Sequence, residues 1–309
     1  MSYEVKNDLT AGKYRTQAEK SFTRSIPYYL MLLPTLIIVF LFSYYPPLSG
    51  LWYSFREWQM GEHSTFVGLA NYLRMFRDEN LIKAWFNVAY LTIANILFKG
   101  LLGPLILAEL IFFLKSKKWA GFYRNVLVFL MVMPTVAALL IWRNWFLWDG
   151  LLNNILKSIG LPNLAHTWIA EPGTSLFALF LAGFPWVSTI AVLTLTSGLM
   201  TIPGELMESA RLDGASWWRQ IINLHLPLIR GPIKLTLVMT ALFGLQDFMG
   251  PMLLTRGGPF STSTLPGLEM FNQLVVYMNS GYACAIGITI AFVIMVVTIL
   301  INKLLPTDV

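Results

Sequence analysis

The chain has 309 residues, 56% of them hydrophobic and only 12% charged, against about 25% charged in an ordinary soluble domain, so a globule folded in water is excluded. The formal net charge of +6 does not mark a nucleic-acid surface, because the Lys and Arg residues fall between apolar runs rather than in a patch. One cysteine, Cys284, and the scattered His63, His166 and His225 leave neither a disulfide framework nor a metal constellation.

Residues 1–26 are polar and read as a cytoplasmic N-terminal segment rather than a cleavable leader, since the next apolar run is already of spanning length. Six spans are expected, at about 28–50, 84–114, 122–145, 174–200, 229–255 and 281–303. No charge lies between Arg24 and Arg56, nor between Glu171 and Glu205; Lys99 and Glu109 interrupt the second span and Asp247 the fifth. Runs of this length must satisfy their own backbone in lipid, which predicts helices rather than the ten-residue strands of a barrel. The fold class is therefore all-α integral membrane, with 27–304 as one six-helix domain and 305–309 as a short tail. The segments that are inside if the N-terminus is cytoplasmic carry twice the Lys and Arg of those outside. That bias predicts N-in, C-in, with the weight on Lys115, Lys117 and Lys118. The 11 Trp suit a protein with two membrane interfaces to anchor.

Nothing in the chain matches a phosphate-binding GxxxxGK[ST] loop, a Gly-x-Ser-x-Gly elbow or a His-Glu-x-x-His helix. The loop 201–228, between the fourth and fifth spans, reads as two short helices meeting at a sharp corner. Asp213-Gly214 supplies the positive-φ residue that ends the first helix, Ser216 stands where it can cap the second, and Pro227 limits continuation into the fifth span. Leu206, Met207 and Ala210 make one side of the first helix apolar, and Glu205, Glu208 and Arg211 make the other polar. Such an elbow is either a docking surface for another protein or an amphipathic segment lying on headgroups.

The order Glu208-x-Ala210, Gly214, Leu224-x-Leu226-Pro227 resembles the EAA loop of ABC-transporter permeases, with Ser209 at the first alanine position. Asp213-Gly214-Ala215 is similar to the Asp-Gly-Ala of the carbohydrate-uptake branch. Three further landmarks of that branch occur in order: Phe66-Val67-Gly68-Leu69-Ala70-Asn71-Tyr72, Leu254-Thr255-Arg256-Gly257-Gly258-Pro259 with Thr262, and Gly281-Tyr282-Ala283-Cys284-Ala285. The second resembles the maltose-F or glycerol-phosphate-A half. The resemblance implies a type I ABC importer permease in the cell membrane of a prokaryote, paired with a homologous permease, two ATP-binding-cassette subunits and an extracellular solute-binding protein. ATP and Mg would be bound by the ATPase, with no cofactor in this chain and no enzymatic activity of its own. On the matching positions, Glu205, Glu208, Ser209, Ala210, Asp213, Gly214, Ala215, Leu226 and Pro227 would form the ATPase-coupling elbow.

Charges inside spans are costly and mark pathways or pairs. Lys99 either lines the translocation path or pairs with Asp247. Gln246-Asp247-Phe248 and Gly250-Pro251 predict a loosened fifth span of the kind that lines solute sites, and Glu109 reads as structural. Trp142, Trp145 and Trp186 are candidates for stacking on sugar faces. The rival functions are a glycerol-phosphate importer, an ion-coupled secondary carrier or channel, and an intramembrane enzyme. The last finds no convergent catalytic groups.

Overall fold

The computed structural model describes residues 27–59, 61 and 63–306; the N-terminal segment 1–26 and residues 307–309 of the tail lie outside the described residues. The chain forms two compact units, one ending at Trp52 and the other running from Tyr53. The described part of the first is helix α1 (Pro27–Ser54) up to Trp52, its last two residues belonging to the second unit. Its 28 residues extend about 42 Å at 1.5 Å per residue, more than the ~30 Å hydrocarbon core.

The second unit opens with a short antiparallel hairpin, β1 (Arg56–Glu57) and β2 (Thr65–Phe66), followed by α2 (Ala70–Met75). Helix α3 (Glu79–Phe112) runs unbroken for 34 residues. Its start is capped by Asp78, which accepts the N–H groups of Asn80 and Leu81 at 3.1 and 3.2 Å. Helices α4 (Lys117–Leu130) and α5 (Thr135–Trp145) follow, bent by 88°, then α6 (Leu151–Ser158), α7 (Ser175–Leu181) and α8 (Thr189–Met200). The elbow consists of α9 (Gly204–Leu212) and α10 (Trp217–Leu228). Helices α11 (Arg230–Leu245), α12 (Met249–Leu254), α13 (Pro266–Phe271) and α14 (Ser280–Leu304) complete the chain. Among the described residues, α1, α3 and α14 are long and apolar enough to cross a membrane alone, and up to six spans result if the bent pairs α4–α5, α8–α9 and α10–α11 each count once.

Three of the expected spans are not continuous helices, and two of the breaks have a local cause. The third bends at Pro134, the residue before α5, which cannot donate to the preceding turn. The fourth is interrupted between Leu181 and Thr189, where Gly183 has φ 89° and Trp186 φ 60° around Pro185. The fifth stops at Leu245 and restarts at Met249.

Prolines also explain a second feature. Wide, π-helical segments occur at Phe40–Tyr44, Ile96–Leu102 and Ile221–His225, each just ahead of Pro46, Pro104 or Pro227. A proline removes the donor for the carbonyl four residues earlier and crowds it; one extra residue per turn relieves the crowding without ending the helix. A fourth such segment, Asn272–Val276, has no proline behind it.

The core of this unit forms three clusters. One joins Ile111 of α3, Leu127 of α4, Leu195 and Leu199 of α8, Met207 of α9 and Ile233 of α11. Another gathers Phe146, Leu179, Phe180, Leu245 and Leu254, and the third packs Met75 and Leu81 on Tyr282, Ile286 and Ile290. The elbow thus shares its core with α3, α4, α8 and α11.

Candidate functional site

The corner of the elbow is closed by backbone geometry. Gly214 has φ 74°, its N–H donates to Arg211 O at 3.1 Å, and the Ala215 N–H reaches back to Ala210 O at 2.9 Å. This pair of bonds is the Schellman closure, which satisfies the last carbonyls of α9 and needs a residue tolerant of positive φ. Ser216 does stand at the N-cap of α10, but its hydroxyl makes no capping bond. Instead Gln220 Nε2 donates to Ala215 O at 2.8 Å and ties the corner from the other side. Helix α10 ends at Leu228, and the chain turns by 75° into α11 just after Pro227.

Only Met207 of α9 is buried. Leu206, assigned above to the apolar side, is half exposed, while Leu212 is 88% and Trp218 66% exposed. Glu205, Glu208 and Arg211 are exposed and form no ion pair among the described residues. The elbow therefore presents unpaired charge beside uncovered apolar side chains, a combination that fits a surface met by another protein.

The link from elbow to spans was not legible from sequence. His225 Nδ1 lies 3.0 and 2.9 Å from the two carboxylate oxygens of Glu109, with side-chain exposures of 0% and 2%. The other ring nitrogen of His225 lies 3.2 Å from the Met207 sulfur of α9. Phe112 and Phe113 pack on the imidazole with centroids at 5.4 and 5.5 Å. One dry side chain thus joins both elbow helices to the end of α3. The available signal was Glu109 itself, since a carboxylate placed in a span requires a buried partner.

A second group of residues surrounds the break between α7 and α8. Lys99 sits in the π segment of α3 and donates from Nζ to Ala182 O at 3.2 Å, at the end of α7. The same ammonium stands 6.0 Å from the centre of the Phe180 ring. Trp186 stacks on Phe180 at 4.7 Å and donates from Nε1 to Phe180 O at 2.9 Å. Close approach is built in here, because a Cβ at Gly103 would lie 2.7 Å from Trp186 O. Trp142 packs on Phe146, and Trp145 on Trp142 at 5.0 Å. Non-helical backbone survives in lipid only where protein or a polar cavity satisfies it, and Lys99 and Trp186 do so here.

The alternative pairing of Lys99 with Asp247 is not formed as an ion pair among the described residues, although the two charges are within electrostatic reach. Asp247 instead accepts the Gly250 N–H at 2.9 Å and so caps the restart of the chain at α12. Gln246 lines a separate cavity of about 450 Å³ with Phe248, Met270 and Ile294. Because each charge has its own backbone partner, Lys99→Met and Asp247→Ala are each expected to lose one charged hydrogen bond, about 1.5–3 kcal/mol. In thermal unfolding of the purified chain the double variant should show close to the summed loss. A double variant more stable than either single one would restore direct pairing.

The family model described as binding-protein-dependent transport system inner membrane component matches residues 100–307. The probable ABC transporter permease protein YurN of Bacillus subtilis is 30% identical over 282 residues, which cover 90% of this chain and 96% of YurN. The trehalose/maltose transport system permease protein MalF of Thermococcus litoralis is 29% identical over 276 residues, 87% of this chain and 90% of that one. A chain of the crystal structure of a bacterial alginate ABC transporter, in complex with its alginate pentasaccharide-bound periplasmic protein, superposes with a TM-score of 0.80. It is 25% identical, and the match covers 94% of this chain and 99% of that one.

Proposed function

The chain belongs to the binding-protein-dependent transport system inner membrane component family and has the helical fold of an ABC importer permease; on that premise we propose that it is one of two permease subunits of an ATP-driven oligosaccharide importer. The observation that carries this reading is the elbow. It is a Schellman-closed corner with unpaired Glu205 and Glu208, fastened by His225 to α3, in a chain without a phosphate-binding loop of its own. Relatives named for sugar transport support the substrate class. A partner ATPase binds ATP and Mg, closes on the nucleotide and moves the elbow. The permease pair then alternates between outward and inward access for a sugar delivered by the solute-binding protein.

In this reading α1, α3, α4–α5, α7–α8, α11–α12 and α14 are the six spans, with both termini and the 201–228 loop cytoplasmic, as the basic bias supports. A cysteine at Ser116 in a Cys284→Ala background should then resist an impermeant thiol reagent added to intact cells. The function is tested by isolating the tagged chain from its native membrane and assaying proteoliposomes. A homologous permease and an ATPase should accompany it, and uptake of labelled oligosaccharide should require ATP and the binding protein. Uptake by the purified chain alone, without nucleotide, would replace the importer with a secondary carrier.

A further inference from the structure

Three stretches distant in sequence close on one another near the start of α14. In the first, Asn71 Nδ2 donates to Ser54 O and Arg56 O, both at 2.9 Å, and Tyr72 OH to Ser54 Oγ at 2.8 Å, locking β1 to α2. The Gly281 N–H then donates to Trp58 O at 3.0 Å, and Tyr282 OH to Asp78 Oδ2 at 2.9 Å beneath the Arg74 guanidinium, 4.1 Å from the ring centre. The third stretch is the loop after α12. Arg256, Phe260 and Ser261 all have positive φ there, at 53°, 55° and 61°. Each such non-glycine residue is strained and persists only where the surroundings over-determine it. They do: Asn87 Nδ2 donates to Thr264 O at 3.0 Å, the Ser263 N–H to Gly257 O at 2.9 Å, and Ser263 Oγ to Thr255 Oγ1 at 2.8 Å.

What this costly scaffold surrounds is an open cavity of about 480 Å³, within the 300–1,000 Å³ range of small-molecule sites. Its lining is almost wholly polar and includes Arg74, Arg256, Asp78, Glu269, Asn80 and Asn272. Two cations balance two anions, so neither a phosphate nor an ammonium ligand is favoured, and among the described residues no group of three or more metal-ligating side chains occurs. The side chains of Arg256 and Asn272 make no hydrogen bond among the described residues. Glu269 accepts from Gln273 Nε2 at 2.8 Å. Guanidinium, amide and carboxyl groups present paired donors and acceptors that bridge neighbouring hydroxyls. Tyr277 adds an aromatic face at the rim, 62% exposed.

We propose that this cavity is a reception site for the end of a neutral oligosaccharide on the outer side of the permease, separate from the Lys99 region. The proposal rests on the importer reading, and its test separates the two. The assembled transporter in nanodiscs, without binding protein or nucleotide, is titrated with maltotriose, cellotriose and xylotriose by saturation-transfer NMR, with glucose 6-phosphate as the charged control. At least one trisaccharide should bind and the phosphate should not. Arg256→Ala and Asn272→Ala should each weaken that binding about tenfold, the loss of one well-made hydrogen bond to a sugar hydroxyl, and Arg256→Lys should weaken it less. Binding of none of the trisaccharides, or binding that survives both alanine variants, overturns the proposal. So does loss of binding-protein affinity in these variants with sugar binding unchanged, which would make the cavity a socket for a protein loop. ATP-driven sugar uptake by the wild-type transporter decides the importer reading independently of all these outcomes.

Discussion

Glu109→Ala is expected to destabilise the chain by about 3–5 kcal/mol, because it leaves the fully buried His225 imidazole without its partner in a dry site. In thermal unfolding of the purified protein that corresponds to a midpoint lower by on the order of 10 °C. Glu109→Gln keeps an acceptor for Nδ1 and should lose much less. The double variant Glu109→Leu, His225→Leu should also be less damaged than Glu109→Ala, since removing both polar partners leaves no orphaned group. Losses in the double variant equal to the sum of the two single ones would mean that the pair does not act as a unit. The pair also bears on coupling. His225 touches the α9 residue Met207 as well as Glu109 of α3, so the Gln variant should remain folded while ATP hydrolysis responds less to the loaded binding protein.

Gly214→Val and Glu208→Lys should each reduce sugar uptake about tenfold or more while leaving the amount of permease in the membrane near normal. For Gly214, positive φ opposes a β-branched residue by roughly 1–2 kcal/mol, a modest loss for the isolated chain. Among the described residues, no atom beyond its two chain neighbours lies within 4 Å of where a Cβ would stand at that position. In the proposed importer, damage beyond the strain comes from a surface outside this chain, the ATPase groove. Glu208 is exposed and unpaired among the described residues, so reversing its charge breaks nothing internal. Its effect reports charge complementarity with a partner. Co-purification with the ATPase and uptake in proteoliposomes measure both. Normal ATPase association and normal uptake in both variants would leave the elbow as a helix lying on headgroups.

Two kinds of information met in this chain. Its apolar runs between charges determined where long apolar helices form, because a backbone without water has to satisfy itself within the segment. The Asp213-Gly214 corner was equally legible, since a Schellman closure depends on a few consecutive residues and on one that accepts positive φ. So were the three landmark motifs, each a local string. The tertiary structure alone decided what lies between these pieces. The Gly183–Trp186 stretch became a break rather than a continuous helix because Lys99 Nζ of α3 and Trp186 Nε1 within the stretch give the freed carbonyls of Ala182 and Phe180 their donors. Lys99 found the Ala182 carbonyl instead of Asp247, and Glu109 found His225 at a separation of 116 residues. A periodicity or a charge count records what one segment requires of its solvent. Which distant group meets that requirement is set by how the helices pack, and no local string of residues contains it.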